Sequence, residues 1–253
     1  MSALAPATPS RVDAGARSKV AELVKRYSLP DRAEPALLAL LESLATDPHA
    51  PTTIREPAKA VDTHLADSLV ALELDQLSAA RSVADLGSGA GFPGLPLAVA
   101  LPGARFWLLE SNVRKCAFIE RARSAAGLAN VEVVPVRAEV WPEGLARFEL
   151  VTARAVARLA VVAEYAAPLL TLGGTLMVWR GRRDADDEDA ANRAAIELGL
   201  ESSSIHTVWP FPGAESRHLH LMSKVRETPD RFPRRPGVAL KRPLGAPSDR
   251  GRR

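Results

Sequence analysis

An α/β fold with a mostly parallel, doubly wound sheet of seven strands is predicted by three observations. From residue 82 onward, short β-prone runs alternate with helical stretches, the order that builds a parallel sheet with right-handed crossovers. A glycine cluster, "DLGSGAG" (85–91), stands between the first such run and the helix after it, an arrangement that brings backbone N–H groups close to a nucleotide. The last two runs are separated only by "PFPGAES", too short for a crossover, so they should form an antiparallel hairpin at the C-terminal end of the sheet.

Taken in order, residues 1–12 are rich in Ala, Pro, Ser and Thr and are expected to be disordered. An N-terminal helical segment, 13–80, follows. "AGARSKVAELVKRYSL" and "RAEPALLALLESLATD" carry apolar residues at helical spacing, and Pro35 is tolerable only in a first turn. A third helix, "EPAKAVDTHLADSLVALEL", has Pro57 near its first position. The sheet domain, 81–225, contains the runs "SVADL", "RFWLLE", "VEVVPV", "FELVTA", "GTLMVW", "SSIHTVW" and "RHLHLMSKV". Helices are expected over "PGLPLAVALP", "SNVRKCAFIERARSAAG" and "VARLAVVAEYAAPLL", with a short piece around Glu139. Residues 226–253 form a basic tail.

Composition narrows the function classes. With 253 residues, 47% of them hydrophobic, the chain can bury an ordinary core. Its start lacks a basic segment followed by an apolar one, and no apolar run approaches the about 18 residues that cross a bilayer. The cytoplasm is expected, with no membrane partner. A single cysteine, Cys116, excludes an internal disulfide and a cysteine-based metal cluster, and no metal is expected. The net charge of +3 conceals an asymmetry, because residues 224–253 hold ten Lys/Arg against three Asp/Glu. Such a tail reads either as a polyanion contact or as a solvated terminus.

The glycine turn has two registers. From Gly89 it is G-x-G-x-x-G, the dinucleotide spacing (Gly89, Gly91, Gly94); from Asp85 it is D-x-G-x-G-x-G (Asp85, Gly87, Gly89, Gly91). The first register normally begins directly after the strand and sets its third glycine against the sheet. Here Asp85 and Gly87 precede it, and Gly94 lies between Pro93 and Pro96, which assigns Gly94 to helix capping. The second register therefore fits better, and an aspartate there can accept a hydrogen bond in the turn or bind the ammonium of a methionine moiety. Glu110, about twenty residues further on at the end of the second run, suits the two hydroxyls of a ribose. Ala138 and Glu139 follow the third run, and Arg154 follows the fourth, all at the carboxyl edge where open α/β sheets bind ligands.

The acceptor is narrowed by what is missing. No Asp/Asn-Pro-Pro-aromatic turn is present to orient an exocyclic amine, and Cys116 is in the wrong segment for attack on a cytosine carbon. A substrate atom that is already nucleophilic is implied. His64 and Asp67 lie three apart on one face of the third helix, suiting either a helix-to-sheet polar contact or a substrate gate. Arg180, Arg182 and Arg183, with Arg234, Arg235, Lys241 and Arg242 of the tail, are candidate phosphate contacts.

"IREPAKAVDTHLADSLVALEL", "VADLGSGAGFPGLPLAVALPGARFWLLESNVRKCAFIERA", "VRAEVW", "ARAVARL" and "FPRRPGVALKRPL" together resemble the ribosomal RNA small subunit methyltransferase G family, also called the glucose-inhibited division protein B family. The resemblance runs from about residue 18 to about residue 244. It implies a class I, Rossmann-like methyltransferase that uses S-adenosylmethionine, releases S-adenosylhomocysteine, and methylates guanine N7 in the 530 loop of 16S rRNA. Its partner would be 16S rRNA or the 30S subunit, and a monomer is expected. Carried over by position, Gly87, Phe92, Ala138, Glu139 and Arg154 would hold the donor, with Glu110 where such proteins commonly have aspartate. Ala153 stands where serine is expected, and Arg180 where lysine is common. Three other readings remain open from the residues alone: a class I methyltransferase acting on another RNA or a small molecule, a dinucleotide-binding redox or sensor protein, and a non-enzymatic RNA-binding scaffold with a vestigial nucleotide pocket.

Overall fold

The structure is a computed structural model, and it describes residues 11–246. The expectations for residues 1–10 and for the last seven residues of the tail lie outside the described residues; Val12, expected in the disordered N-terminus, is instead buried in the core. The predicted helices and strands are present, arranged as a seven-stranded sheet with helices on both faces. Its order is β3-β2-β1-β4-β5-β7-β6, where β1 is Ser82–Leu86, β2 Arg105–Leu109, β3 Val131–Val134, β4 Phe148–Arg154, β5 Leu170–Arg180, β6 Leu200–Val208 and β7 Arg217–Lys224. Strands β1 to β5 pair in parallel, and β7 runs antiparallel between β5 and β6. The sheet reverses direction at β1, which opens a crevice at the carboxyl ends of β1 and β4.

Helix starts follow local capping chemistry. Helix α1 (Ala14–Arg26) is capped by Asp13, whose carboxylate accepts from Ala16 N at 2.8 Å. Helix α2 (Ala33–Thr46) buries Leu37, Leu40, Leu41 and Leu44 on one stripe, with Pro35 in its first turn. The third helix, α3, spans residues 57–73 and starts where Glu56 accepts from Ala58 N and Lys59 N. It is not regular. A π turn occupies Val61–Ala66 and a 3₁₀ turn Val70–Glu73, so His64 and Asp67 are delivered to the sheet edge by a widened turn.

Helix α4 (Asp75–Ala79) leads into β1. Helices α5 (Gly94–Ala100), α6 (Val113–Ala125) and α7 (Leu159–Ala166) are the crossovers expected. Helix α8 (Ala185–Leu198) is the longest element the sequence reading passes over, beside the short α4. Its buried face is mostly alanine, Ala191, Ala194 and Ala195, with one leucine, Leu198, so its apolar periodicity is faint. Its end signals are clear: Asp184 accepts from Asp187 N, three acidic residues fill the first turn, and Gly199 closes it with φ +78°.

Side chains alternate across β2, so Phe106 and Leu108 join the core under α1–α3, α5 and α6, while Trp107 and Leu109 join the core under α7 and α8. The tail does not leave the body at residue 226. Phe232 and Ala239 are buried in the second core, and Val238–Lys241 form a short helix, α9. No helix among the described residues is long and apolar enough to cross a membrane.

Candidate functional site

The site is built on the glycine turn between β1 and α5. Gly87, Gly89 and Gly91 all have positive φ, +61°, +61° and +88°, a conformation that costs glycine little and other residues more. Gly87 is exposed, and a Cβ there would press on Val156 at 3.1 Å. Ser88 holds the turn from below by donating its hydroxyl to Asp85 O at 3.0 Å.

Asp85 lies under the turn and not in front of it. It is wholly buried, pairs in register with Thr152 of β4, and accepts from the Thr152 hydroxyl at 2.7 Å. Burial pushes its carboxyl up to about 6, against the opposing pull of the Thr152 hydrogen bond and the Arg154 charge. Its second oxygen has no hydrogen-bond partner among the described residues. The carboxylate therefore ties the end of β1 to β4 beneath the turn. Gly94 departs from the capping role expected of it. It is the first residue of α5, and a Cβ on it would come within 3.0 Å of Asp85 Oδ2 and of Leu108, so its smallness lets the helix approach the sheet.

Glu110 ends β2 facing the turn. Its carboxylate accepts from Gly89 N at 3.1 Å and Asn112 N at 2.8 Å, and Lys115 Nζ is 3.8 Å away. Together with Gly87, Leu109, Ala138, Glu139, Tyr165 and Leu240 it lines a cleft over the ends of β1–β3. Glu139 reaches this cleft on a 3₁₀ turn, Ala138–Val140, but its carboxylate is engaged by Gly237 N at 3.2 Å and by the Tyr165 hydroxyl. Burial, with Glu139 beside it, raises that phenol to about 12.

On the other side of the turn, Phe92 is buried and stacks on His64, ring centroids 4.8 Å apart. His64 Nε2 is 3.2 Å from the Thr52 hydroxyl, and Nδ1 is buried without a partner among the described residues. Burial and the charge of Arg154 hold its pKa down at about 4, so the ring is neutral at pH 7. Asp67 receives Arg154 Nη1 at 2.7 Å and Arg217 Nε at 3.2 Å, and its backbone oxygen accepts from the buried Trp179 indole at 2.8 Å. Ala155 follows with φ +57°, uncommon for a residue with a Cβ and concentrated at functional sites. Asp67, Arg154, Ala155, Trp179 and Arg217, with Arg180 and Arg182, line a second, open pocket at the ends of β4 and β5.

The glycine turn thus brings together Asp85, Gly87, Gly89, Gly91, Phe92 and Glu110, flanked by Ala138 and Glu139 on one side and by His64, Asp67 and Arg154 on the other. The other predicted cations divide in two. Arg180 is bound to Asp187 at 2.7 Å, Arg183 to Glu188 at 2.5 Å, and Arg234 forks onto the buried Glu164. Arg182, Arg235, Lys241 and Arg242 are exposed and form no ion pair among the described residues. Sequence reasoning misses Thr152, Arg217, Trp179, Tyr165, Gly237 and Leu240. Only Thr152 carried a readable signal, as an inward hydroxyl opposite an aspartate strand end.

This fold, with a glycine cradle between β1 and its helix and a carboxylate at the end of β2, defines a class I S-adenosylmethionine-dependent methyltransferase. A crystal structure of an S-adenosylmethionine-dependent methyltransferase from Aquifex aeolicus superposes with a TM-score of 0.50 at 13% identity, covering 66% of this chain and 93% of that one; the likeness is one of fold. Residues 37–219 match the family model GidB, rRNA small subunit methyltransferase G. The chain is 42% identical over 196 residues to ribosomal RNA small subunit methyltransferase G of Chloroflexus aggregans, covering 76% of this chain and 82% of that protein. It is 41% identical to the protein of the same name from Rubrobacter xylanophilus, covering 75% of each. The chain belongs to the rRNA small subunit methyltransferase G family.

Proposed function

We propose that the protein, acting as a monomer, methylates N7 of one guanine in the 530 loop of 16S rRNA, as naked RNA or within the 30S subunit, with S-adenosylmethionine as donor. The observation that carries this reading is the pair of pockets on either side of the glycine turn. One is narrow and partly apolar with a carboxylate on its floor; the other is open and arginine-lined.

The first pocket fits the donor. Gly87 presents bare backbone to it, Glu110 has acceptor capacity left for ribose hydroxyls, and Leu109, Ala138 and Leu240 offer apolar surface to a purine. Because the Glu139 carboxylate is occupied by Gly237 and Tyr165, its backbone is the part left to face adenine. When bound, S-adenosylmethionine supplies a sulfonium methyl, an electrophile that needs no activation by the protein.

The second pocket fits an acceptor that needs no base. Guanine N7 offers an in-plane lone pair and carries no proton, so the protein's task is in-line positioning. Among the described residues Asp67 is the one carboxylate lining this pocket, and Arg154 and Arg217 hold it. That pairing offsets one of the two guanidinium charges beside a ring that becomes cationic on methylation. Arg154, 5.9 Å from the Phe92 ring, stands between the glycine turn and this pocket, while Arg182 on the rim suits a phosphate.

A thermal-shift comparison tests the donor assignment. S-adenosylhomocysteine should raise the Tm and NADH should not. Stabilisation by NADH alone would restore the dinucleotide register.

A further inference from the structure

We propose that the segment from Phe232 to Gly245, which sequence alone casts as a tail, is a wall of the donor site: Leu240 covers the donor's purine, and the Gly237 N–H fixes Glu139 beneath it. This rests on reading the cleft over β1–β3 as the donor pocket.

The segment is pinned at both ends. Near its start Phe232 is buried, and Arg234 forks onto Glu164, a carboxylate 1% exposed that would otherwise be an unpaired buried charge. Arg234 Nη2 also donates to Arg242 O at 2.9 Å, closing the segment on itself. Near its end Gly245, φ +68°, lies so close to α8 that a Cβ would stand 2.0 Å from Ala190 O, and its own oxygen accepts from Arg193 Nε at 2.8 Å. Between these anchors, Gly237 N donates to Glu139, Ala239 is buried, and Leu240 remains 56% exposed at the cleft, opposite Gly87 and Ala138. A leucine fixed there leaves apolar surface open at the cleft, and a flat ring seated in the cleft would cover it. The cations Arg235, Lys241 and Arg242 are exposed on the same stretch, so one segment can touch the donor with its inner side and RNA with its outer side.

The test uses the full chain. Hydrogen exchange with and without S-adenosylhomocysteine should show slower exchange of amides 235–242 when the ligand is present. By calorimetry, Leu240→Ala should weaken S-adenosylhomocysteine about fivefold, Leu240→Met should stay near wild type, and affinity for 30S subunits should be unchanged by either. Unchanged exchange over 235–242, or a Leu240→Ala protein that binds S-adenosylhomocysteine as wild type does, overturns the inference. Because the exchange measurement needs no variant, it decides the matter even if Leu240→Ala folds poorly. A wild-type chain that binds no S-adenosylhomocysteine would instead overturn the donor reading itself.

Discussion

Asp85 and His64 show how burial sets chemistry residue by residue. Asp85 lies buried beneath the glycine turn, and the Thr152 hydroxyl satisfies one of its oxygens; without that donor the buried carboxyl would lose its closest hydrogen-bond partner. Thr152→Val should therefore cost about 1–3 kcal/mol of stability, measured by urea unfolding, and a loss near zero would show that the carboxyl does not depend on it. The pH dependence follows from opposite shifts. For His64, lowered from 6.5 to about 4, the unfolded chain binds a proton in that window that the folded one does not, so stability falls as pH drops through it. For Asp85, raised from 3.8 to about 6, the folded chain holds the extra proton, so stability falls as pH rises through that window. The slopes oppose each other between about pH 4 and 6. In His64→Asn the Asp85 slope is left uncovered, and unfolding curves across this range should show stability falling more steeply with rising pH than in wild type. An identical profile would contradict the assignment.

At the scale of elements, the ion-paired Asp67 joins α3, β4 and β7 through Arg154 and Arg217. Asp67→Asn leaves two guanidiniums facing each other without their counterion and should cost about 2–4 kcal/mol. Adding Arg217→Gln should cost less than the two separate losses combined; additive losses in this cycle would mean the elements are not coupled there. This juncture also marks what could be read beforehand. The strands were legible because their apolar residues cluster in short runs bounded by turn residues, and the donor side of the site was legible because glycines and Glu110 keep a fixed local spacing. The Asp67–Arg217 contact joins positions 150 residues apart, and no local pattern encodes such a meeting. Helix α8 escaped because an alanine face is sterically sufficient under a neighbouring helix yet nearly silent in periodicity. Gly94 was misassigned because its neighbours Pro93 and Pro96 suggested punctuation, whereas the constraint on it comes from Asp85 and Leu108 across the sheet edge.

For the whole molecule, the sheet reversal at β1 places a carboxylate-floored cleft on one side of the glycine turn and an arginine-lined pocket on the other, so a donor and an acceptor can meet across a backbone that neither has to displace. The N-terminal helices complete this arrangement through His64 and Asp67, and the C-terminal segment through Gly237 and Leu240. The chemistry assigned here asks the protein to position an atom that already carries a lone pair, which agrees with an acceptor pocket whose one carboxylate is held by arginines. The most direct measurement is incubation of 30S subunits lacking the modification with donor labelled in its methyl group, followed by mapping of the modified nucleotide. The account predicts a single label on N7 of a guanine in the 530 loop of 16S rRNA. Label on an exocyclic amine or a ribose, or at a guanine elsewhere, would contradict it even though the fold stood.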